Sequence, residues 1–257
     1  MYTLITGASS GIGHELAKIC AKESQNLILV ARSQNALNSL AAELMQNFKI
    51  KAEVLAIDLA QASSVNQLYQ NIQNHSWEVN ILINNAGFGD YGYFLSSSWE
   101  KQRDVIHVNI MALTQLTHFF LPSMVKRKSG KIMNIASTAA FQPGPLMSVY
   151  YASKAFVLSF SEALSTELEG TGVTVTALCP GTTQSGFQKV ARFSNLSKFN
   201  TSLIPSSQQV AEFAFRSMMQ EKVVAVHGMK NKLLVLSVRF FPRSLMRRIM
   251  MRFQKNR

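Results

Sequence analysis

Residues 2–13 have the sequence YTLITGASSGIG, and this stretch decides the fold class. Its first half, from Tyr2 to Thr6, predicts a buried strand because uncharged, β-compatible residues follow one another. Its second half has the glycine spacing Gly-x-x-x-Gly-x-Gly. Glycines allow unusual backbone dihedrals and a close approach to a pyrophosphate, which also meets the free N–H groups and positive end of the following helix. The stretch therefore predicts a strand–turn–helix unit that binds a nucleotide.

Alternating strands and helices continue beyond this unit. Further strands are predicted at Asn26–Arg32, Lys51–Ile57, Val79–Ile83, Lys131–Ala136 and Val173–Leu178. Strands that alternate with helices favour one parallel, doubly wound α/β sheet with helices on both faces. A chain of 257 residues, 47% of them hydrophobic, is of a size that suits one domain.

The end of the second strand carries Arg32, and no acidic residue lies between Glu23 and Glu43. An acid at this place holds the ribose 2′-hydroxyl of NAD, whereas a basic residue accepts the 2′-phosphate of NADP. We therefore expect NADP(H) as the cofactor. The alternative is that Arg32 is a solvated residue at a strand end.

Polar residues also follow the third and fourth strands. Asp58 either binds an adenine amino group or caps a helix. The fourth strand opens into Asn84–Gly87, at the strand end where open α/β sheets bind ligands, although a plain turn has the same composition. Asn109 lies within the predicted helix Ser98–Lys128, where it is either exposed or part of a polar network.

Candidate catalytic residues lie between Ser137 and Lys154. Tyr150 and Lys154 are four residues apart at a predicted helix start, so both side chains leave the same helical face. The lysine charge favours tyrosinate and lowers the phenol pKa from its free value of roughly 10, so that the phenol can exchange a proton with a carbonyl or alcohol. Ser137 could hydrogen-bond the same oxygen. Taken alone, this spacing also occurs by chance on solvated helices.

Seven motifs together resemble the short-chain dehydrogenase/reductase family, in the family's order and over about residues 1–228. They are Thr6-Gly7-x-x-x-Gly11-x-Gly13, Asp58-Leu59, Asn84-Asn85-Ala86-Gly87, Asn109, Ser137, Tyr150-x-x-x-Lys154 and Pro180-Gly181. The resemblance implies a Rossmann-type catalytic domain at residues 1–228. Residues 229–257 then form a basic, amphipathic C-terminal extension.

The resemblance also implies roles for individual residues. Tyr150 would donate or accept the proton, Lys154 would lower its pKa and bind the nicotinamide ribose, and Ser137 would hold the substrate oxygen. Asn109 would anchor a water in a proton relay, and Thr183 would contact the carboxamide. The expected cofactor-binding set is Gly7, Ser9, Ser10, Gly11, Ile12, Gly13, Arg32, Asp58, Asn85, Ala86, Gly87, Tyr150, Lys154, Pro180, Gly181 and Thr183.

The family further implies a homo-dimer or homo-tetramer packed through its two long helices, and a substrate lid at about residues 184–205. Apolar residues in and near this segment favour a lipid-, acyl- or steroid-like ketone or aldehyde, unless they are buried against their own domain. They are Phe88, Phe141, Met147, Phe187, Phe193, Leu196, Phe199 and Leu203.

Charge is concentrated at the C-terminus. The net charge is +12, yet ten basic residues and no acid follow Glu221, so the rest of the chain carries +2. Apolar and basic residues alternate at helical spacing over residues 239–257. This helix either docks on its own fold or a partner subunit, or lies on an anionic membrane surface. Nucleic-acid binding has only the charge to support it, and we expect none.

Other features indicate a cytoplasmic enzyme. Cys20 and Cys179 lie far apart in apolar surroundings, as reduced core thiols do. We find no metal motif, no cleavable signal sequence and no run of 18 apolar residues that predicts a membrane-spanning helix. The expected activity is hydride transfer between NADP(H) and a carbonyl or secondary alcohol. The alternative is a non-catalytic dinucleotide sensor or scaffold with a membrane- or partner-binding tail.

Overall fold

Strands and helices alternate along the chain from Tyr2 onwards. The computed structural model describes residues 1–187, 191 and 204–255. Its strands are β1 (Tyr2–Thr6), β2 (Asn26–Ala31), β3 (Ala52–Ala56), β4 (Val79–Asn84), β5 (Gly130–Ile135), β6 (Val173–Cys179) and β7 (Val224–Val226). Its α-helices are α1 (Gly11–Lys22), α2 (Gln34–Asn47), α3 (Ser64–Asn74), α4 (Trp99–Ile106), α5 (Leu113–Lys126), α6 (Ser148–Glu167), α7 (Ser207–Met219), α8 (Met229–Val238) and α9 (Arg243–Lys255).

The strands form one parallel sheet in the order β3-β2-β1-β4-β5-β6-β7. This confirms the predicted fold class. The chain moves outward from β1 to β3, then returns to the other side of β1 with β4. The order therefore reverses between β1 and β4, and the carboxyl ends of strands flanking such a point form a ligand-binding crevice.

Alternate residues of each central strand are buried on opposite faces of the sheet. Leu27 and Leu29 of β2 pack in one core cluster with residues of α1, α2 and α7. Ile28 and Val30 pack in a second cluster with residues of α3 and α5. Because both faces are covered by helices, the strands are apolar throughout rather than alternating in polarity.

The predicted helix Ser98–Lys128 consists of three segments. Helices α4 and α5 are separated by a π-helical turn at His107–Ala112 that contains Asn109. We predicted no membrane-spanning helix because no run of 18 residues is apolar throughout; the stretch Trp99–Lys126 is nevertheless long enough, and apolar enough on average, to cross a membrane by length and composition alone. Core helices pass the same test, and this stretch buries Val105, Leu116 and other residues within the fold.

The glycine turn needs its glycines for two different reasons. Gly7 and Gly11 have φ values of 67° and 59°, in the left-handed region that favours glycine. Gly13 lies within α1, where a Cβ atom would collide with the Gly7 carbonyl oxygen and the Asn85 carboxamide. The turn, the helix and the end of β4 therefore approach one another too closely for a side chain at position 13.

We expect Gly13→Ala to destabilise the protein by about 1–3 kcal/mol, because the added methyl group meets backbone that has no room to move. Thermal unfolding of the variant measures the loss. Gly186→Ala is the matched control, since a Cβ atom there has no heavy atom within 4 Å among the described residues. Equal melting temperatures for Gly13→Ala and the wild type would contradict the close packing.

Candidate active site

A cavity of about 730 Å³ opens at the carboxyl ends of the central strands. Most of the predicted site residues line it, namely Gly7, Ser9, Ser10, Gly11, Ile12, Arg32, Asp58, Asn85, Ala86, Gly87, Ser137, Tyr150, Lys154, Pro180, Gly181 and Thr183. Gly13 and Asn109 do not line it and act through packing and hydrogen bonds instead. The cavity runs from the end of β2 to the end of β6, across four neighbouring strand steps of about 4.8 Å each.

The candidate catalytic side chains come from β5 and α6. Helix α6 begins at Ser148, so Tyr150 and Lys154 lie one turn apart in its first two turns, with the Lys154 Nζ atom 5.9 Å from the centre of the Tyr150 ring. Ser137 follows the end of β5. Its Oγ atom accepts a hydrogen bond from the Ala139 N–H (3.1 Å) and donates to the Pro180 carbonyl (3.4 Å).

The Lys154 ammonium is buried, with only 5% of the residue exposed. Its Nζ atom donates a 2.6 Å hydrogen bond to the Ile135 carbonyl. Burial lowers the pKa of this lysine from 10.5 to about 8. An ammonium has three N–H donors, so donors remain for a ligand or a phenolate in the cavity.

Thr6 and Asn85 connect the glycine turn to the end of β4. The Thr6 Oγ1 atom accepts hydrogen bonds from the N–H groups of Asn85 and Ala86, both at 3.0 Å. The Asn85 carboxamide donates to the carbonyl oxygens of Thr6 (2.9 Å) and Gly7 (3.1 Å). The Asn85 side-chain amide thus holds the two strand ends together. Asn85 also lines the cavity, and its role in cofactor binding stays a prediction.

Asn109 is buried and belongs to a polar network, which was one of the two alternatives. Its carboxamide accepts a hydrogen bond from the Phe88 N–H (3.1 Å) and donates to the Phe88 carbonyl (3.0 Å) and the Ser153 Oγ (2.9 Å). The Ser153 hydroxyl in turn donates to the Tyr150 carbonyl. Asn109 thus attaches the loop after β4 to the start of α6, beside Lys154. Its part in a proton relay stays a prediction.

Arg32 and Asp58 occupy the end of the cavity formed by β2 and β3. Arg32 is exposed and forms no ion pair with any residue that the structure describes. The Asp58 carboxylate accepts a hydrogen bond from the Ala60 N–H (3.1 Å). Helix α3 begins only at Ser64, so Asp58 is not its cap.

A second polar network was not predicted from the sequence. The Asn84 carboxamide donates to the side chains of Asn134 (2.9 Å) and Thr117 (3.2 Å), and Asn134 donates to the Ser161 hydroxyl (2.9 Å). All four side chains are buried. They connect β4 and β5 to α5 and α6, and so fix the helix that carries Tyr150 against the strands that carry the cavity.

The C-terminal helices form part of the cavity wall, a feature that the sequence did not reveal. Leu234 of α8 and Met250 and Phe253 of α9 line the cavity. The buried Gln254 carboxamide donates a 2.8 Å hydrogen bond to the Tyr151 hydroxyl. Its backbone carbonyl accepts a 2.6 Å hydrogen bond from Tyr91. The apolar periodicity of α9 was visible in the sequence, but the surface that receives it was not.

One face of α9 therefore docks on the chain's own fold. Met246 and Met250 pack in a buried cluster with Met147 and Tyr151, next to the catalytic helix. We predicted that this helix either docks on its own fold or a partner subunit, or lies on a membrane. The face formed by Met246, Met250 and Gln254 docks on its own fold. Leu245 and Ile249 on the neighbouring face stay exposed.

The predicted lid is described at its two ends. The Gln184 N–H donates to the Pro205 carbonyl (3.0 Å), which joins the ends of the segment. Phe187 lines the cavity with its ring centre 5.2 Å from that of Tyr150. Phe193, Leu196, Phe199 and Leu203 lie outside the described residues.

The two cysteines are free and buried, as expected for core thiols. Burial raises the pKa of each thiol to about 12, so both are unreactive at neutral pH. Among the described residues there is no group of three or more metal-ligating side chains.

Comparison with known proteins agrees with this geometry. The family model for the short chain dehydrogenase matches residues 2–194. That range is most of the chain and contains the glycine turn, Ser137, Tyr150 and Lys154. The chain belongs to the short-chain dehydrogenase/reductase family.

Several curated relatives are similar over most of this chain. A very-long-chain 3-oxoacyl-CoA reductase from Phaeosphaeria nodorum is 41% identical over 180 residues, which are 68% of this chain and 52% of the relative. The mouse 17-beta-hydroxysteroid dehydrogenase type 3 is 35% identical over 184 residues, which are 70% of this chain and 59% of the relative. The chain thus spans about half to three fifths of the length of these two relatives.

A solved structure provides a match over nearly the whole chain. The short-chain dehydrogenase from Sphingobium yanoikuyae, in complex with NADPH, has a TM-score of 0.82 and 31% identity, with 93% of this chain and 94% of that chain covered. A short-chain dehydrogenase/reductase from Burkholderia phymatum with this fold was solved in complex with NAD. The solved neighbours thus differ in their nicotinamide cofactor, and they do not fix which one this chain binds.

The lowered pKa of Lys154 predicts a pH dependence of stability. Between pH 8 and 10.5 the unfolded chain binds more protons at this residue than the folded chain does. Its contribution to the free energy of unfolding therefore rises with pH in that window. We expect Lys154→Met to have a flatter profile than the wild type in urea unfolding across this range. Lys126→Met, at an exposed position, controls for the loss of a lysine; identical profiles for all three proteins would contradict the burial of the Lys154 charge.

Proposed function

We propose that this protein is an NADP(H)-dependent oxidoreductase that reduces the carbonyl group of an apolar ketone or aldehyde. The observation that carries the proposal is the convergence of Ser137, Tyr150 and Lys154 on one cavity that also reaches the glycine turn and Arg32. Tyr150 and Lys154 come from one helix and Ser137 from a neighbouring strand end. This arrangement supports the proposed roles of acid, charged neighbour and hydroxyl donor.

Tyr150 is the proposed proton donor to the substrate oxygen. The buried Lys154 ammonium favours the phenolate that this transfer leaves behind, because a nearby positive charge lowers the pKa of a phenol. The Ser137 hydroxyl orients the same substrate oxygen. When bound, the nicotinamide supplies or accepts the hydride at the carbon atom. The return reaction on an alcohol uses the same residues with the proton moving in the opposite direction.

The residues at the other end of the cavity fit an anionic dinucleotide. The first turn of α1 contains no acidic residue, and no side-chain hydrogen bond from the preceding Ser10 occupies its N–H groups. These N–H groups and the positive helix end favour a pyrophosphate. The exposed Arg32 guanidinium would hold a 2′-phosphate, because guanidinium groups bind phosphate oxygens through directed hydrogen bonds. Asp58 would contact the adenine.

The cavity wall near Tyr150 favours an apolar substrate. Side chains that line this part are Phe88, Met147, Tyr151, Phe187, Leu234, Met250 and Phe253. Relatives named as reductases of very-long-chain 3-oxoacyl-CoA and as hydroxysteroid dehydrogenases support a bulky lipid- or steroid-like ketone. An apolar wall with few polar groups at the reacting end is typical of sites that bind such molecules.

Self-association through the long helices is also part of the proposal. Met111 in the π-helical turn and Phe156 of α6 are exposed apolar residues, on the two helices through which family members are expected to pair. Burial of such residues against a second copy is favourable. A cytoplasmic location remains a prediction from the sequence.

Tyr150→Phe should lower the rate of NADPH oxidation by about 10²–10⁴-fold, because general acid catalysis contributes that much. The assay uses a panel of long-chain 3-oxoacyl thioesters and ring ketones. Tyr93→Phe, at an exposed tyrosine, is the control and should keep full activity. Full turnover by Tyr150→Phe would contradict the assignment of Tyr150 as the proton donor. Tight NADPH binding with no turnover of any carbonyl by the wild type would instead favour the sensor alternative.

Arg32→Ala should weaken NADPH binding by about tenfold or more, the value of one lost hydrogen bond to a charged group, and leave NADH binding nearly unchanged. Fluorescence titration of both cofactors measures the ratio of the two dissociation constants. Arg216→Ala on α7 serves as the matched loss of an exposed arginine. An equal effect on both cofactors, or a wild type that prefers NADH, would refute the role of Arg32.

A further inference from the structure

The C-terminal helices expose an apolar surface. On α8, Met229, Leu233 and Leu236 follow one another at helical spacing, and Phe240 lies two residues past the end of the helix. These four residues are 69%, 62%, 51% and 78% exposed. Leu245 and Ile249 on α9 continue the exposed apolar residues. We call these six residues the C-terminal apolar surface. Isolated exposed apolar residues are ordinary, but a continuous stripe along a helix marks a binding surface.

This stripe is distinct from the face that packs on the fold. Val235 is the buried residue of α8, and Met246, Met250 and Gln254 are those of α9. In a helix of 3.6 residues per turn, Leu233 and Leu236 lie on the side of α8 opposite to the side of Val235 and Asn231. Helix α8 is therefore apolar on both sides, and one side has no partner within the described residues.

All charged side chains of the C-terminal segment that carries this surface are positive. From Lys222 to the C-terminus there are ten basic residues and no acid. Lys230, Lys232, Arg239, Arg248 and Arg252 are exposed, and none forms an ion pair with a described residue. Two copies of this positively charged face repel each other. A negatively charged surface with an apolar layer beneath it attracts both the basic and the apolar residues of the face.

We propose that the C-terminal apolar surface docks the protein on the face of a membrane that contains anionic lipid. Helices of 10 and 13 residues are about 15 and 20 Å long, too short to span the roughly 30 Å apolar layer of a bilayer. They lie in the interface, with Leu233, Leu236 and Phe240 in the acyl boundary and the basic side chains at the lipid head groups.

Docking in this way would bring the cavity to the lipid. Leu234 and Met250 line the cavity and belong to the same two helices as the C-terminal apolar surface. Together with the proposed function, this gives an apolar carbonyl substrate a route from the membrane that avoids water. The docking itself does not depend on that activity.

Co-sedimentation of the purified full chain with lipid vesicles tests the proposal. We expect binding to vesicles of phosphatidylcholine with phosphatidylserine, much weaker binding to phosphatidylcholine alone, and weaker binding at high salt. Leu233→Ser/Leu236→Ser/Phe240→Ser should reduce binding at least about tenfold, because three apolar side chains no longer enter the lipid.

Met45→Ser/Met219→Ser/Val223→Ser is the control, because it changes three exposed apolar residues elsewhere, at 46%, 47% and 40% exposure, and should bind as the wild type does. If the first triple variant does not fold, Lys232→Gln/Arg239→Gln/Arg248→Gln should abolish the preference for phosphatidylserine while circular dichroism remains native.

Two results would overturn the proposal. One is a wild type that does not sediment with anionic vesicles at low salt. The other is a triple variant of the C-terminal apolar surface that binds vesicles as the wild type does. If the wild type does not bind vesicles and the variant has a lower molar mass than the wild type in light scattering, the surface instead forms a contact between two copies of the chain. Neither measurement requires enzymatic turnover, so failure of the proposed function leaves this test unaffected.

Discussion

The side chains of Thr6 and Asn85 join the ends of β1 and β4, and the site depends on this contact. Strand order reverses between these two paired strands, so the chain segments that follow them leave in opposite directions and border a crevice. Six polar groups in this small region form hydrogen bonds with one another, which holds the glycine turn against the loop that carries Gly87. Gly13 is required because the Gly7 backbone and the Asn85 side chain lie too close to α1 for a Cβ atom at position 13. These contacts within the chain therefore set the shape of the glycine turn.

Burial of the Lys154 charge is the main electrostatic cost at the other end of the cavity. A lysine in water keeps its proton to pH 10.5, and removal from solvent lowers this pKa to about 8. A hydrogen bond to the Ile135 carbonyl offsets part of this desolvation. The ammonium also lies near Tyr150, so its remaining N–H donors can bind a phenolate or a ligand hydroxyl. Two buried networks, around Asn109 and around Asn134, hold α6 in the position that this pairing needs.

The C-terminal helices combine two tasks that the sequence assigns to a separate extension. Through Gln254 and Met250 they close the cavity next to Tyr151, and through Leu233 and Phe240 they present apolar residues to the outside. A buried amide that bonds a tyrosine 103 residues away ties the position of α9 to the shape of the catalytic helix. Changes in this segment are therefore expected to alter substrate choice as well as association with other surfaces.

The sequence by itself determined the fold class and the family, because both depend on local patterns. An uncharged strand followed by Gly7 and Gly11 encodes its turn within a dozen residues, and the spacing of Tyr150 and Lys154 places both on one face of α6 wherever that helix lies. Tertiary structure alone decided that Asn85 would hold two strand ends together, that Asn109 would be buried in a π-helical turn, and that α9 would line the cavity. These outcomes depend on contacts between residues distant in the chain, where packing and desolvation rather than local periodicity select the partner.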